Sequence, residues 1–173
     1  MPTPEGEAPM TGIVPVTAGD QLRKAFGCFP SGVTAVCAEV DGVPVGLAAS
    51  SFTSVSVEPP LVSVCMQHTS TTWPILRQRP RLGLSVLAEG HDDVCARLAS
   101  KTGDRFAGTG RVASEEGALF VHGATLWLDC TLHAEVPAGD HDIVLLHVHG
   151  LRADPTMAPL VFHGSRFRRL ADV

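Results

Sequence analysis

The sequence predicts a mostly antiparallel β-barrel with a few short helices, and three observations support this fold class. Short apolar segments are separated by turn residues such as Gly, Pro and Asp. Residues 124–135 alternate between apolar and polar side chains, which indicates a long strand with one buried face. No GxGxxG motif follows a strand and opens a helix, so a dinucleotide-binding βαβ sheet is not indicated.

Length, composition and charge narrow the range of functions. The 173 residues are enough for one domain, and 45% apolar with 18% charged residues is typical of a globular chain. The net charge is −5 and Lys24 and Lys101 are the only lysines, so we expect no nucleic-acid partner. No run approaches the ~18 apolar residues of a membrane span, so we expect no membrane partner. Residues 1–17 are rich in Pro, Gly and Glu, which predicts a flexible tail before a domain at 18–173.

Cysteine usage indicates a reducing compartment. The cysteines are odd in number, widely spaced and never arranged as CxxC, which argues against a disulfide framework or a cysteine-based zinc site. We therefore expect reduced packing thiols and a cytoplasmic location. The five are Cys28, Cys37, Cys65, Cys95 and Cys130.

The chain is predicted to begin with a helix and a strand pair. Asp20 is expected to cap a helix at 21–26. An Asp-Gly turn signal then separates strands at 32–39 and 45–57. Both strands are bounded by Gly or Pro, which is typical of strand ends.

Two further short helices and five strands follow. The hydroxyls of 69–72 precede Trp73-Pro74, which predicts a capped helix ending at Arg79. Acidic residues occupy the first turn of a helix at 92–100, where the helix dipole favours them. The remaining predicted strands are 61–66, 82–87, 124–135, 143–148 and 159–162.

The strand at 45–57 has unusually small side chains, and this suggests a ligand. Small residues let a flat molecule approach the backbone, and hydroxyl and N–H groups can donate to a heteroaromatic ring. A solvated or subunit-facing Ser/Thr strand explains the same composition. The small residues are Ala48, Ala49, Ser50, Ser51, Thr53, Ser54 and Ser56.

The hydroxyl-rich segment 69–72 is a candidate phosphate site. A helix N-terminus offers unpaired N–H groups and the positive end of the helix dipole. Lys101, which follows the helix at 92–100, could add a positive charge. An ordinary helix cap and a solvated surface lysine are the alternatives.

Histidines supply two more candidates. Asp140 and Asp142 flank His141 in a turn and would stabilise its protonated ring, although a neutral ring could also bind a ligand amide. Gly and Asp are ordinary turn residues as well. His147 and His149 share a strand face and could bind a metal, as in a cupin-type oxygenase, but no third ligand motif accompanies them.

Several motifs in the chain resemble, in order and spacing, those of the short-chain flavin reductases that feed two-component monooxygenases. The resemblance implies an FMN-binding split β-barrel with antiparallel, Greek-key-like strands and a few short helices. It also implies a homodimer that transfers hydride from NADH or NADPH to FAD or FMN, with FAD preferred, and releases reduced flavin to a separate monooxygenase. The motifs run from Leu22 to Leu170 and read FGCFPSGVTAVCA, DGVPVGLAASSFTSVSVEPPLVSVC, DRFAG, AGDH and PLVFHGSRF.

The resemblance also implies roles for individual residues. The strand equivalent to Ala48, Ala49, Ser50 and Ser51 would line the flavin ring, mainly through its backbone. His141 would be the catalytic residue beside the nicotinamide, where it positions the amide. The ribityl and phosphate end would be held by Ser54, Ser56, Thr69, Thr71, Ser100 and Lys101.

The chain departs from the family pattern at three places. The family often has Thr-Ala-Asn-Ser where this chain has 48–51, so two side-chain contacts are lost. Leu98 replaces a frequent aromatic residue and Phe167 replaces a usual tyrosine, so adenine stacking and a terminal hydroxyl contact do not carry over. A non-reductase flavin-binding or pyridoxamine-phosphate-oxidase-like barrel and a structural dimer module remain as alternatives.

Overall fold

The computed structural model describes residues 12–171, which form twelve strands and three helices. The expected tail at 1–17 lies mostly outside the described residues, and 12–18 carry no helix or strand. In the described range, no helix has both the length and the apolar character that a membrane span requires. The elements are α1 (Gly19–Phe26), β1 (Ser31–Gly32), β2 (Thr34–Val40), β3 (Val43–Ala49), β4 (Thr53–Ser56), β5 (Leu61–Gln67), α2 (Trp73–Leu76), β6 (Leu82–Val86), α3 (Asp92–Ala99), β7 (Arg111–Ala113), β8 (Leu119–Val121), β9 (Leu126–Ala138), β10 (His141–Ala153), β11 (Val161–His163) and β12 (Arg166–Arg168).

Seven strands form one antiparallel sheet around an apolar interior. Their order is β3-β2-β6-β9-β10-β5-β4, so β3 and β4 are the two edges. Removing this apolar surface from water is the main force that drives folding. The interior is filled from the five central strands and α2 by Val36, Ala38, Val62, Val64, Met66, Trp73, Leu76, Leu82, Leu84, Leu128, Cys130, Val144 and Leu146.

β2 is buried on both faces and joins two apolar clusters. Val36 and Ala38 belong to the interior cluster, whereas Ala35 and Cys37 belong to a second cluster. This division follows from the alternation of side chains along a strand. The second cluster is completed mainly from α3, β8 and nearby segments by Val33, Leu87, Val94, Leu98, Phe106, Leu119, Val121 and Leu160.

A glycine lets the β7-β8 hairpin pack across the main sheet. A Cβ atom on Gly83 of β6 would lie 2.1 Å from the carbonyl oxygen of Leu119. A side chain at position 83 would clash with the main chain of Leu119, which cannot move aside as a flexible side chain could. Ser85 lies two residues after Gly83 on β6, and its hydroxyl accepts a hydrogen bond from the Val121 amide at 3.0 Å. The close approach and this bond fix the hairpin on the sheet.

The single strand predicted at 45–57 is wrong, because the structure has two strands there. β3 ends at Ala49 and β4 begins at Thr53. The Ser51 hydroxyl accepts a hydrogen bond from the Cys65 amide at 2.8 Å. A side chain of the connecting segment therefore accepts from this β5 amide in place of the backbone carbonyl of a neighbouring strand. β3 pairs with β2 and β4 pairs with β5, so the chain crosses from one sheet edge to the other.

Asp20 does not cap α1, contrary to the expectation. It lies in the first helical turn and pairs with Arg23 at 3.2 Å. Instead, Gln21 Oε1 accepts hydrogen bonds from the Thr17 amide at 2.9 Å and the Ala18 amide at 3.3 Å. A side chain within the helix therefore binds the amides that precede it.

The β9-β10 hairpin is longer than the sequence pattern predicts. Each strand has thirteen residues, and bulges interrupt the pairing at Leu145/Leu146 and Val148/Gly150. Bulges bend and twist a strand, which lets the hairpin follow the curved sheet. The sequence pattern does not predict β1, β7, β8 or β12, since two or three residues carry too little periodicity.

Candidate functional site

A cleft of about 590 Å³ opens beside β3 at the edge of the sheet. Its walls come from the end of β3, the segment from β5 to α2, the end of α3 with the segment after it, and the start of β10. This volume is in the range of small-molecule and cofactor sites. The lining residues are Leu47, Ala48, Ala49, Ser50, Ser51, Cys65, Met66, Gln67, Thr69, Ser70, Thr71, Thr72, Leu98, Ala99, Lys101, Arg105 and His141.

One wall of the cleft is the small-residue end of β3. Ala48 and Ala49 are half-buried, and Ser50 is exposed. Because β3 pairs only with β2, its other edge is not used in a strand ladder. Small side chains and unused backbone groups suit a flat polar ring. The Ser51 side chain also lines the cleft, but its hydroxyl is already bonded to the Cys65 backbone.

The hydroxyl-rich segment forms a second wall. Thr69 and Thr71 line the cleft and are exposed. The N-cap residue of α2 is Thr72, which makes no side-chain cap hydrogen bond; instead, the Ser70 hydroxyl accepts from the Trp73 amide, the first of the helix, at 3.1 Å. α2 is a single turn of four residues that ends at Leu76, not Arg79. Its dipole is therefore short, and any anion binding here depends on the hydroxyls and the nearby cations.

Arg105 ties the two walls together. Its Nη1 donates to the Thr72 hydroxyl at 2.7 Å and to the Gly46 carbonyl at 3.0 Å. The segment before α2 is thereby held against β3, and the width of the cleft is fixed. In the sequence, Arg105 is marked only by its place in the DRFAG motif, which by itself predicts none of these contacts.

The lining of the cleft is positively charged. Lys101 and Arg105 are its cations, and none of its lining residues is Asp or Glu. Lys101 follows α3 as expected and is exposed. Ammonium and guanidinium groups bind phosphate strongly. The small-residue wall, the hydroxyls and these cations together fit a phosphorylated heteroaromatic cofactor.

His141 lies at the mouth of the cleft, at the start of β10. Its side chain is 39% exposed and its Nδ1 donates to the Asp140 carboxylate at 2.7 Å. This hydrogen bond lowers the pKa of Asp140. The expectation that Asp142 also supports His141 is wrong, because Asp142 pairs with His68 at 3.0 Å. Adjacent residues in a strand point to opposite faces, which explains the different partners.

Three predicted residues do not line the cleft. Ser54 and Ser56 lie on β4, beyond the interruption of the predicted strand. The break between β3 and β4 therefore separates these two serines from residues 48–51, which line the cleft. Ser100 donates its hydroxyl to the Thr102 carbonyl at 2.8 Å.

His147 and His149 contact each other outside the cleft. Their rings are 4.6 Å apart, and the Thr131 hydroxyl lies 2.9 Å from His149 Nε2. Between residues 12 and 171, no cluster of three or more His, Cys, Asp or Glu side chains could hold a metal. The described residues thus offer no third ligand to this pair.

Sequence reasoning missed the part of the cleft that comes from β5 and its neighbours. These residues become neighbours of β3 only through the order of strands in the sheet, which no local pattern encodes. Leu98 had been noted only as a departure from the family, yet it lines the cleft. Ser70 and Thr72 belong to the predicted segment 69–72 without being singled out within it. The other lining residues that the sequence did not indicate are Leu47, Cys65, Met66, Gln67, Ala99 and Arg105.

Known proteins resemble this chain over most of its length. Residues 26–171 match the family described as the flavin reductase like domain. The chain is 41% identical over 156 residues to the actinorhodin polyketide dimerase of Streptomyces coelicolor, with 88% of each protein covered. It is 37% identical over 138 residues to HsaB, the reductase subunit of a flavin-dependent monooxygenase of Mycobacterium tuberculosis, covering 80% of this chain and 74% of HsaB.

A solved structure agrees as well. The NADH:FAD oxidoreductase SgcE6 of Streptomyces globisporus, in complex with NAD and FAD fragments, superimposes with a TM-score of 0.83 and 38% identity, over 88% of this chain and 92% of that one. The predicted split β-barrel and the resemblance seen in the sequence are therefore both confirmed. The chain belongs to the flavin reductase like domain family.

Proposed function

We propose that this protein is a flavin reductase that uses NADH to reduce FAD and releases the reduced flavin to a separate monooxygenase. FMN and NADPH are the alternative cosubstrates. The cleft carries the proposal, because it combines a small-residue wall, two cations and His141 in a member of the flavin reductase family. SgcE6 is an NADH:FAD oxidoreductase and HsaB is a reductase subunit of a monooxygenase, which supports the same assignment here.

The residues of the cleft would bind the flavin at two ends. When bound, the flavin supplies the hydride acceptor and the nicotinamide supplies the hydride. The backbone of 48–51 would lie against the flavin ring, and Thr69, Thr71 and Lys101 would hold the phosphate end. The protein contributes alignment and exclusion of water, which convert an encounter of two molecules into a reaction within one complex. Ser54, Ser56 and Ser100 do not line the cleft, and their contact with the ribityl and phosphate end stays a prediction.

His141 would position the nicotinamide amide through Nε2. Its Nδ1 is held by Asp140, and Nε2 makes no hydrogen bond within residues 12–171. His141→Ala should raise the apparent KM for the nicotinamide nucleotide ~10-fold with a smaller change in kcat, because a ground-state contact is lost. His149→Ala, on the same strand but outside the cleft, is the control. An unchanged KM in His141→Ala would remove this role.

Anaerobic bleaching of the flavin absorption band tests the proposed function. The protein is mixed with FAD or FMN and with NADH or NADPH in four separate combinations. Rapid bleaching above a protein-free sample establishes flavin reduction and identifies both cosubstrates. Bound flavin, shown by fluorescence quenching, without any bleaching would instead favour the flavin-binding or pyridoxamine-phosphate-oxidase-like alternative.

A homodimer is the second part of the proposal. α1 buries none of its residues although Leu22 and Phe26 share one face, and Phe26 is 67% exposed. Val57, just after β4, is 94% exposed, and Val55 and Phe29 are exposed as well. A second copy that covers these side chains would remove apolar surface from water. Sedimentation equilibrium tests this arrangement, and a monomer at micromolar concentration would contradict it.

The proposed partner and location follow from the same assignment. A reductase of this kind needs an oxygenase that consumes reduced flavin, and we place both in the cytoplasm. All five cysteines are free thiols, which supports a reducing compartment. Product formation by a flavin-dependent monooxygenase that depends on adding this protein and NADH would test the transfer.

A further inference from the structure

The tip of the β9-β10 hairpin carries His141 and extends beyond the main sheet. The ladder between β10 and β5 ends at the pair of His141 and Gln67, so the turn before His141 lies past its end. The turn residues Ala138, Gly139 and Asp140 are all exposed. The turn fixes the local shape of the tip, but its distance from the other walls of the cleft depends on contacts with neighbouring segments.

His68 binds this tip on both sides of His141. Its backbone amide donates to the Asp140 carbonyl at 3.0 Å, one residue beyond the end of the ladder. Its Nε2 donates to Asp142 Oδ1, also at 3.0 Å. The Asp142 side chain is only 24% exposed, so water weakens this bond less than it weakens a bond on the open surface. One residue thus holds both neighbours of His141 in the chain.

His68 itself belongs to a segment that is anchored in the apolar interior. The Ser70 amide donates to the Gln67 carbonyl at 2.9 Å and closes a turn around His68. The Ser70 hydroxyl accepts from the Trp73 amide at 3.1 Å, and Trp73 is buried in the interior cluster. Because this segment is anchored and the hairpin turn is exposed, His68 sets the position of the tip.

Asp140 completes the link from His68 to the ring of His141. Its carbonyl accepts from the His68 amide, and its Oδ1 accepts from His141 Nδ1 at 2.7 Å. The pKa of Asp140 is lowered mainly by the hydrogen bond and the charge of His141, and to a smaller extent by the charge of His68. The carboxylate therefore stays ionised and keeps Nδ1 as a donor, which leaves Nε2 for a ligand.

We propose that His68 is a positioning residue for the reduction, which holds the hairpin tip so that His141 Nε2 meets the nicotinamide amide. The inference rests on the proposed function, because the contact of His141 with the nicotinamide belongs to that function. His68 is not among the residues that line the cleft, although Gln67 and Thr69 on either side of it are. It therefore acts through His141 and makes no contact of its own with the nicotinamide.

Steady-state kinetics of variants at position 68 test this role. His68→Ala removes the bond to Asp142 and should raise the apparent KM for NADH ~5-fold with a smaller change in kcat. His68→Gln keeps an N–H donor and should restore most of the wild-type KM. The control is His133→Ala, since His133 is an exposed histidine on the same hairpin outside the cleft. A KM in His68→Ala no higher than in the control would overturn the proposal.

A double-mutant cycle with His141 separates positioning from a general loss of structure. If His68 acts through His141, adding His68→Ala to His141→Ala should leave the KM for NADH unchanged. The affinity for flavin, measured by fluorescence quenching, should be the same in His68→Ala and in the wild type. An equal rise in KM in both backgrounds would show that His68 affects the cleft by another route, and the assignment would be wrong.

NMR spectra of the histidine ring nitrogens test the positioning without cosubstrates or a redox reaction. In His68→Ala the ring signals of His141 should shift or broaden, because the tip loses its bond at Asp142, whereas His133→Ala should leave them unchanged. Unchanged His141 signals in His68→Ala would contradict the positioning role even if the wild type reduces flavin. Absence of flavin bleaching by the wild type would instead remove the proposed function, so the two failures are distinguishable.

Discussion

His91 lies just before α3 with its ring partly buried against the backbone. Its Nδ1 accepts a hydrogen bond from the Ala88 amide at 3.2 Å. Burial of the ring lowers the pKa of His91 below its ordinary value of 6.5, and the nearby His122 lowers it further, while Asp92 acts in the opposite direction. The folded protein therefore favours the neutral ring, whose Nδ1 remains an acceptor.

Acid should weaken the fold through His91. Its contribution to stability is complete above a pH of about 6.5 and is lost as the pH falls through the lowered folded-state pKa. His91→Asn keeps an acceptor but does not titrate. When the pH falls from about 7.5 to about 5.5, the unfolding free energy of this variant should drop by ~0.5 kcal/mol less than that of the wild type. The difference is small because solvent screens a half-buried ring.

Urea denaturation at both pH values measures this difference. The wild type, measured at the same two pH values, is the reference. The same pH dependence in His91→Asn and in the wild type would show that His91 makes no net contribution.

Single residues of the cleft differ in how far the sequence predicts them. Ala48, Thr71 and His141 were selected because composition or the family motifs mark them, and all three line the cleft. Arg105 was not, because its role depends on a hydroxyl 33 positions earlier and a carbonyl 59 positions earlier. Such long-range contacts are set by the fold and leave no local periodicity.

At the level of elements, α2 is anchored to β9 through one carboxylate. Trp73 Nε1 donates to Glu135 Oε1 at 2.7 Å, and Arg77 Nη2 donates to Glu135 Oε2. Trp73 is buried, so its indole N–H depends on this partner. Because α2 directly follows the hydroxyl-rich segment, the same carboxylate also holds one wall of the cleft in place.

Removing that carboxylate should loosen α2. Glu135→Ala leaves the buried indole N–H of Trp73 without a partner and should cost ~2 kcal/mol of unfolding free energy. Glu135→Gln can still accept from Trp73 and should cost less. Urea denaturation followed by tryptophan fluorescence measures both variants, with the exposed Glu116→Ala as control. A loss in Glu135→Ala no larger than in the control would contradict this account.

Elements with a long pattern are predictable from the sequence, and their interruptions are not. The alternation at 124–135 correctly indicates β9, and the apolar run at 61–66 correctly indicates β5. The break after Ala49 contains no Gly, Pro, Asn or Asp, and its only turn signal is the weak one of Ser50-Ser51, followed by Phe52 and Thr53, which favour a strand. The hydrogen bond from the Cys65 amide to Ser51, which makes the break possible, forms only once β5 is alongside.

At the level of the whole molecule, the cysteines report on global unfolding. Burial raises the pKa of Cys37 to about 12, and burial, aided by Asp129, does the same for Cys130. Cys28 is exposed. Because the thiolate is the reactive form, the two buried thiols should be inert in the folded protein.

Thiol labelling at a pH of about 8, followed by peptide mass spectrometry, should modify Cys28 first. Cys37 and Cys130 should react together and only as fast as the protein unfolds, and urea should speed both equally. Labelling in concentrated urea, where all five cysteines react, gives the reference. Rapid labelling of Cys37 in buffer would show that the second cluster opens on its own.

The position of β2 has a consequence for amide hydrogen exchange. β2 is hydrogen-bonded to strands on both sides and covered by an apolar cluster on both faces, so its amides should be among the slowest in the protein to exchange with solvent. β3 and β4 lie at the two sheet edges and have only one strand partner each, so they can open while β2 stays closed. Opening of β3 would break its ladder with β2 and the Arg105 bond to Gly46 but would leave β2 paired with β6, so the wall of the cleft can open without global unfolding.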